Sequence, residues 1–237
     1  MITLKEFLSL QYHKELNPKL WNDHELIPEI REHLLDISYK WIGFANIPVD
    51  TVKDIIFTGG NANYNYTNQS DIDIHILVDF SSYVNEKEHM EDYFHDKKTL
   101  WSLKHNITVH GYPVELYAQP YNEKLPVNQG SYSLLKNEWI TKPVYNESYD
   151  FSHDKYIETK VNHYTRLIDK LISNQSSDNS TELKTLKDKL NQMRSEGLQK
   201  NGEFAQNNLI FKELRNRGYL GKLKQYLVTK GDQKLSI

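Results

Sequence analysis

Apolar residues recur at helical spacing in the segment that ends near residue 45. They advance by three or four positions, which places them on one face of a helix, and Pro28 suits a first helical turn. Asn22 and Asp23 are polar residues of the kind that begin helices. We therefore predict an amphipathic helix here that ends near Ala45. Its apolar positions are Ile27, Ile30, Leu34, Ile37, Trp41 and Phe44.

A different pattern follows, in which short apolar runs indicate strands. Residues 55–57 are continuously apolar and predict a short buried strand that ends at a Gly-Gly turn. Residues 71–76 alternate polar and apolar, so Asp71, Asp73 and His75 share one strand face and isoleucines share the other. The two carboxylates would lie roughly 7 Å apart along the strand. They repel each other unless a cation lies between them, which is the geometry of a metal site.

The remaining pattern divides the chain into a mixed region and a helical region. We expect an α/β (α+β) fold with a sheet flanked by helices over residues 1–150, followed by a helical domain over residues 151–237. The other predicted strands are 106–109, 114–117 and the less regular pair 130–134 and 138–140; the other predicted helices are 4–10, 86–103, 154–172, 181–199, 203–217 and 220–228.

Composition narrows the class of protein and the kind of metal. The chain has 237 residues, of which 38% are hydrophobic, which is compatible with a folded core. It has neither a run of about 18 apolar residues nor the apolar segment of a signal peptide, so we expect a soluble, cytoplasmic protein. Because cysteine is absent, oxygen or imidazole groups must hold any metal, and carboxylates favour magnesium or manganese.

Charge is distributed unevenly along the chain. Residues 1–150 carry 13 Lys and Arg against 22 Asp and Glu, whereas residues 151–237 carry 16 against 10. A net charge of +6 in the second part would attract polyanions such as a triphosphate or RNA. The alternative is that these lysines only solvate exposed helices.

Three elements occur in the order found in one enzyme superfamily. Gly59-Gly60, a ten-residue gap and Asp71-Ile72-Asp73 are followed by Glu115 between apolar residues of a later predicted strand. This arrangement resembles the signature of the DNA polymerase beta-like nucleotidyltransferase superfamily. Many members have a serine where this chain has Gly60. The resemblance implies a small mixed sheet and the transfer of a nucleoside monophosphate from a nucleoside triphosphate such as ATP to a hydroxyl, with release of pyrophosphate.

The resemblance also implies roles for these residues. Asp71 and Asp73 would bridge two Mg²⁺ or Mn²⁺ ions, and Glu115 would complete the metal site and orient the attacking hydroxyl. Gly59 and Gly60 would present backbone N–H groups to the phosphates. These three acids are therefore the candidate catalytic and metal-binding residues, and the two glycines are candidate nucleotide-binding residues.

Four further residues are candidates for nucleotide binding. Asn61 and Ser70 lie in the polar loop, where they would contact the nucleotide or only cap turns. Lys160 and Arg166 lie on a predicted helix, where they would hold the triphosphate or only face solvent. His75 lies in register with the acids and would touch the metal site or be a hydrogen-bonded strand residue.

A wider resemblance leaves two classes of function open. Residues 16–21, 55–79 and 202–215 together resemble uncharacterised nucleotidyltransferase-like proteins encoded by phages, which would place the protein in a host cytoplasm. One class is an enzyme whose acceptor is an RNA or tRNA end, a protein or a small molecule. The other is a non-catalytic, antitoxin-like module that binds a nucleotide or a partner. Neither the acceptor, the preferred base nor the oligomeric state follows from the sequence.

Overall fold

A six-stranded mixed sheet forms the centre of residues 12–146 in the computed structural model, which describes residues 8–83, 87–125, 129–174 and 178–236. Its strand order among these residues is β5-β6-β4-β3-β7-β8, with β4 and β6 parallel and the other neighbours antiparallel. The strands are β1 (Trp21–Asn22), β2 (Glu25–Leu26), β3 (Val52–Thr58), β4 (Ile72–Val78), β5 (Thr108–Val109), β6 (Tyr112–Pro120), β7 (Ser131–Ser133) and β8 (Glu138–Thr141). The predicted fold class, a mixed sheet with helices and a C-terminal helical region, is confirmed.

Helices account for most of the remaining chain. They are α1 (Pro28–Phe44), α2 (Lys87–Lys104), α3 (Lys155–Ser173), α4 (Ser180–Asn201), α5 (Gln206–Asn216) and α6 (Tyr219–Leu235). Among the described residues, none of these helices is long and apolar enough to cross a bilayer.

The alternation in β4 divides the sheet into an apolar and a polar face. Ile72, Ile74 and Ile76 are fully buried in a core that also includes Trp41 of α1 and Phe94 of α2. Because side chains alternate along a strand, the acids of β4 lie on the opposite face. Burial of the isoleucines therefore fixes the direction in which the acids project.

The segment before α1 differs from the prediction. The helix begins at Pro28, and Asn22 and Asp23 belong instead to a hairpin in which Trp21 pairs with Leu26. Asp23 has a φ of 54°, a turn conformation that a helix does not use. Burial of Trp21 and Leu26 favours the extended pairing over an earlier helix start.

The second half of the sheet follows the predicted strands with changed bounds. β6 runs to Pro120, beyond the predicted end at residue 117, because its whole length from Val114 pairs with β4. The less regular pair is present as β7 and β8, which are antiparallel neighbours. A tight turn with positive φ at His110 and Gly111 joins β5 to β6.

The chain divides into two compact units, Tyr12–Asn146 and Met1–Gln11 with Glu147–Ile237. Helices α3 to α6 form the second unit around a separate apolar core. There, the backbone N–H and hydroxyl of Ser9 donate hydrogen bonds to the fully buried carboxylate of Glu213. That residues 1–150 and 151–237 are separate domains stays a prediction.

Some helix bounds in this unit differ from the predictions. Residues 8–10 are not helical, and the rest of the helix predicted over 4–10 lies outside the described residues. The helix predicted from residue 203 begins at Gln206. The residues before it, Gly202–Phe204, form a 3-10 turn whose first residue, Gly202, has a φ of 66°. The last helix is longer than predicted and runs to Leu235.

Candidate metal centre

Three carboxylates from two neighbouring strands converge on the polar face of the sheet. Asp73 of β4 lies directly beside Glu115 of β6 in the parallel register, and Asp71 immediately precedes β4. One carboxylate oxygen from each of the three residues lies within 4.8 Å of the others. Oxygens on opposite sides of a Mg²⁺ ion are about 4 Å apart, so this spacing suits a divalent cation. The roles of the three acids stay a prediction.

The Gly-Gly turn is shaped around Asp73. Gly59 has a φ of 81°, and a Cβ atom at this position would lie 1.8 Å from Oδ2 of Asp73. No other residue fits without displacing the carboxylate. Gly60 begins a short 3-10 turn, Gly60–Ala62, and a Cβ there would lie 3.2 Å from Oγ of Ser70. The turn therefore brings main chain directly against one acid of the site.

Asn61 and Ser70 stabilise the loop between the glycines and the acids. Asn61 is fully buried; its side chain donates to the backbone oxygen of Asp71 at 2.9 Å and accepts from Nδ2 of Asn17 at 2.7 Å. The hydroxyl of Ser70 accepts from the backbone N–H of Thr67 at 2.9 Å. These hydrogen bonds agree with the alternative that Asn61 and Ser70 cap turns. Contact of either residue with a nucleotide stays a prediction.

Gly130 also holds the turn in place, a contact that the sequence did not predict. Asn63 donates to the backbone oxygen of Gly59 at 2.7 Å and accepts from the N–H of Gly130 at 2.8 Å. A Cβ on Gly130 would lie 2.1 Å from the backbone oxygen of Ala62, so the two segments touch main chain to main chain. The hydroxyl of Thr58 donates to the oxygen of Gly130 at 2.9 Å. The entry to β7 thereby holds the Gly-Gly turn in place.

Lys98 is a further residue of the site that sequence reasoning missed. Its ammonium group lies 2.7 Å from Oε2 of Glu115. A usable signal was present, because Lys98 follows Phe94 by four positions and precedes Trp101 by three on a helix whose Phe94 and Trp101 are buried. A lysine on the buried stripe of a helix requires an acidic partner.

His75 is a hydrogen-bonded strand residue beside the acids. Nδ1 of His75 donates to Oε1 of Gln119 at 2.5 Å, and the ring meets that of Tyr117 edge-on with centroids 5.6 Å apart. Burial lowers the pKa of His75; the Gln119 hydrogen bond opposes that shift, and the positive charge of Lys98 adds to it. The ring is therefore neutral near pH 7.

Lys160 and Arg166 lie on α3, in the helical unit. The ammonium group of Lys160 is 5.5 Å from the ring centroid of Tyr156, and Arg166 is exposed. A role for either residue in holding a triphosphate stays a prediction.

Comparison with known families identifies one domain in the chain. Residues 43–133 match the family described as "Nucleotidyltransferase domain". The matched segment includes the Gly-Gly turn, β4, α2 and β6, and thus all three acids. The match supports the resemblance to the polymerase beta-like superfamily. The resemblance to phage-encoded proteins stays a prediction.

No curated protein matches the chain. Among solved structures, a STING-associated CdnE c-di-GMP synthase from Capnocytophaga granulosa is 12% identical, with 87% of this chain and 89% of that chain covered and a TM-score of 0.23. That likeness is too weak to support a statement about substrate.

Proposed function

We propose that this protein is a metal-dependent nucleotidyltransferase that moves a nucleoside monophosphate from a nucleoside triphosphate to a hydroxyl acceptor and releases pyrophosphate. The observation that carries the proposal is the convergence of Asp71, Asp73 and Glu115 within 4.8 Å, inside the segment that matches a nucleotidyltransferase domain.

The donor set of the site fits a divalent metal. All three groups are carboxylates, which are hard oxygen ligands that suit Mg²⁺ or Mn²⁺. In this proposal Asp71, Asp73 and Glu115 would hold the two ions. Bound divalent cations would supply positive charge that offsets the charge of the triphosphate and of the departing pyrophosphate.

The main chain and Glu115 have separate tasks in the proposed reaction. The N–H groups of the Gly59-Gly60 turn, which lies against Asp73, orient the phosphates. The acceptor oxygen bonds to the α-phosphorus while the bond from that phosphorus to the bridging oxygen of the β-phosphate breaks. Glu115 accepts the proton of the hydroxyl, and pyrophosphate leaves. Lys160 and Arg166 are proposed to hold the triphosphate.

The acceptor in this proposal is an RNA or tRNA end, a protein or a small molecule. The net charge of +6 over residues 151–237 supports a nucleic acid, because Lys and Arg contacts to phosphates provide affinity without sequence preference.

Pyrophosphate release tests the proposed activity. The protein is incubated with each labelled nucleoside triphosphate, magnesium and pools of RNA, protein and small-molecule acceptors, and labelled products are identified by mass spectrometry. We expect Asp71→Asn/Asp73→Asn to lower the rate by at least about a thousandfold, because it removes two of the three carboxylates that would hold the metal.

Asp79→Asn is the matched control for this experiment. Asp79 follows β4 directly but pairs with Lys53 at 3.3 Å and lies outside the triad, so its loss should leave the rate within about threefold of wild type. A rate that persists in the double variant would contradict the proposal. Nucleotide binding without turnover in every acceptor pool would instead favour the non-catalytic, antitoxin-like module.

A further inference from the structure

Lys98 is a charged residue on the side of α2 that carries the buried residues Phe94 and Trp101. Phe94 and Trp101, one turn before and one turn after it, are 3% and 8% exposed. The side chain of Lys98 is 32% exposed, and its ammonium group reaches Glu115 at the border of the sheet. A lysine on the packed side of a helix loses hydration, and the ion pair offsets that loss.

The neighbouring lysine does not share this contact. Lys97 approaches the backbone oxygen of Phe44 at 3.4 Å and lies over the rings of Phe44 and Tyr93 at 5.2 and 5.1 Å. Two consecutive lysines on one helix therefore have different surroundings. Only Lys98 of the two is paired with an acid of the triad, and Lys97 offers a matched control.

The charge of the triad explains what Lys98 contributes. Three ionised carboxylates with oxygens within 4.8 Å of one another repel strongly in a half-buried site. The ammonium group of Lys98 reduces the formal charge of the group from −3 to −2. It also holds Glu115, whose side chain is 44% exposed and otherwise able to rotate towards solvent.

We propose that Lys98 is a positioning residue that serves as a resident cation of the site, holding Glu115 beside the aspartates before metal binds and releasing it when a divalent ion takes its place. This inference rests on the proposed function, because it assumes that the triad binds metal. The long side chain of Lys98 is partly exposed, so it can move into solvent without repacking the core. Lys98 and the metal thus compete for Glu115.

Manganese binding in the absence of nucleotide measures this competition. We expect Lys98→Met to bind Mn²⁺ about five- to tenfold more tightly than wild type by calorimetry, because the competing charge is gone while the apolar stem is kept. Lys98→Arg should stay within about twofold of wild type, and so should Lys97→Met. Unchanged or weaker binding in Lys98→Met, or an equal gain in Lys97→Met, would overturn the inference.

The stability of the metal-free protein gives a second readout. With chelator present, Lys98→Met should lower the melting temperature, because the three carboxylates lose their counter-charge. The same substitution in a Glu115→Gln background should have little effect, since the charge that Lys98 neutralises is already absent. An equal loss in both backgrounds would mean that Lys98 acts only through packing, and the inference would fail.

Asp71→Asn separates the two proposals. If Mn²⁺ binding to Asp71→Asn equals that of wild type, the triad is not the metal site, and the proposed function fails together with the inference. If Asp71→Asn loses Mn²⁺ binding and Lys98→Met shows no gain, the metal site stands and only the role of Lys98 is overturned.

Discussion

The position of Asp73 depends on a residue that has no side chain. Gly59 has a left-handed backbone, and the space that its Cβ would take is filled by the Asp73 carboxylate. Two requirements therefore coincide at one position, a positive φ and close approach of the main chain to a carboxylate oxygen of Asp73. A positive φ costs little free energy only for glycine. The close approach to Asp73 is possible only for glycine, because any other residue has a Cβ atom.

Gly59→Ala should weaken both the fold and metal binding. We expect a loss of about 2–4 kcal/mol in the free energy of unfolding, from strain at positive φ and displacement of Asp73, and a fall of at least about tenfold in Mn²⁺ affinity. Urea denaturation and calorimetry measure the two effects.

Gly111→Ala is the control for backbone strain alone. Gly111 has a φ of 86°, but a Cβ there would meet no atom within 4 Å. In this variant the free energy of unfolding should fall by about 1–2 kcal/mol, and the Mn²⁺ affinity should be unchanged. If Gly59→Ala binds Mn²⁺ as tightly as Gly111→Ala, the contact with Asp73 has no bearing on the metal site.

At the scale of residues, the sequence predicted the three acids but not the residues around them. Asp71, Asp73 and Glu115 were found because strand alternation and a known signature both mark them. Lys98 has a local signal in its spacing to Phe94 and Trp101, but its contact with Glu115, like that of Gly130 with Asn63, depends on tertiary packing. The sequence therefore predicted the three acids and did not predict which residues contact them.

Helices and strands were predictable from the sequence where the periodic pattern of apolar residues is long. The apolar stripe of α1 and the alternation of β4 each repeat several times, so their type and faces were predicted correctly. The two-residue strands β1 and β2 are too short to carry a period, and only the packing of Trp21 and Leu26 makes them extended. The end of β6 follows from pairing with β4, which sequence spacing does not reveal.

The junction between α4 and α5 contains a partly buried ion pair, Glu203 with Lys212, that makes stability depend on pH. Burial raises the pKa of the Glu203 carboxyl, but Lys212, Arg194 and Arg215 outweigh that effect, so the pKa lies below its ordinary value of 4.5. The unfolded chain therefore binds the proton more readily than the folded chain. The stabilisation is complete above about pH 4.5 and is lost as the pH falls through the lower, folded-state pKa.

Glu203→Gln should accordingly flatten the acid side of the stability profile. We expect wild type to lose more free energy of unfolding than Glu203→Gln as the pH is lowered below 4.5, as measured by urea denaturation at each pH. Asp188→Asn, at an exposed acid in the middle of α4, should change the profile less than Glu203→Gln does. Parallel profiles for wild type and Glu203→Gln would contradict the prediction.

At the scale of the whole molecule, the candidate site lies within one compact unit. The triad, the Gly-Gly turn, Lys98 and Gly130 all belong to Tyr12–Asn146, which has its own apolar core. The family match, residues 43–133, also falls inside this unit. The basic candidates Lys160 and Arg166 belong to the other unit.

A fragment of residues 12–146 should fold and bind metal without the helical unit. We expect a single cooperative urea transition and a Mn²⁺ affinity within about threefold of the full chain, because every proposed ligand and support is present. An unfolded fragment by circular dichroism would show that the division near residue 150 does not separate independent domains.

The parallel pairing of β4 with β6 also sets the order of events during synthesis. Glu115 lies more than forty residues after Asp73, and the two become neighbours only when the segment containing α2 has crossed over and β6 has paired. A nascent chain that ends before β6 has the Gly-Gly turn and both aspartates but lacks the third carboxylate. On the ribosome, the proposed metal site is therefore complete only after β6 has paired in register with β4.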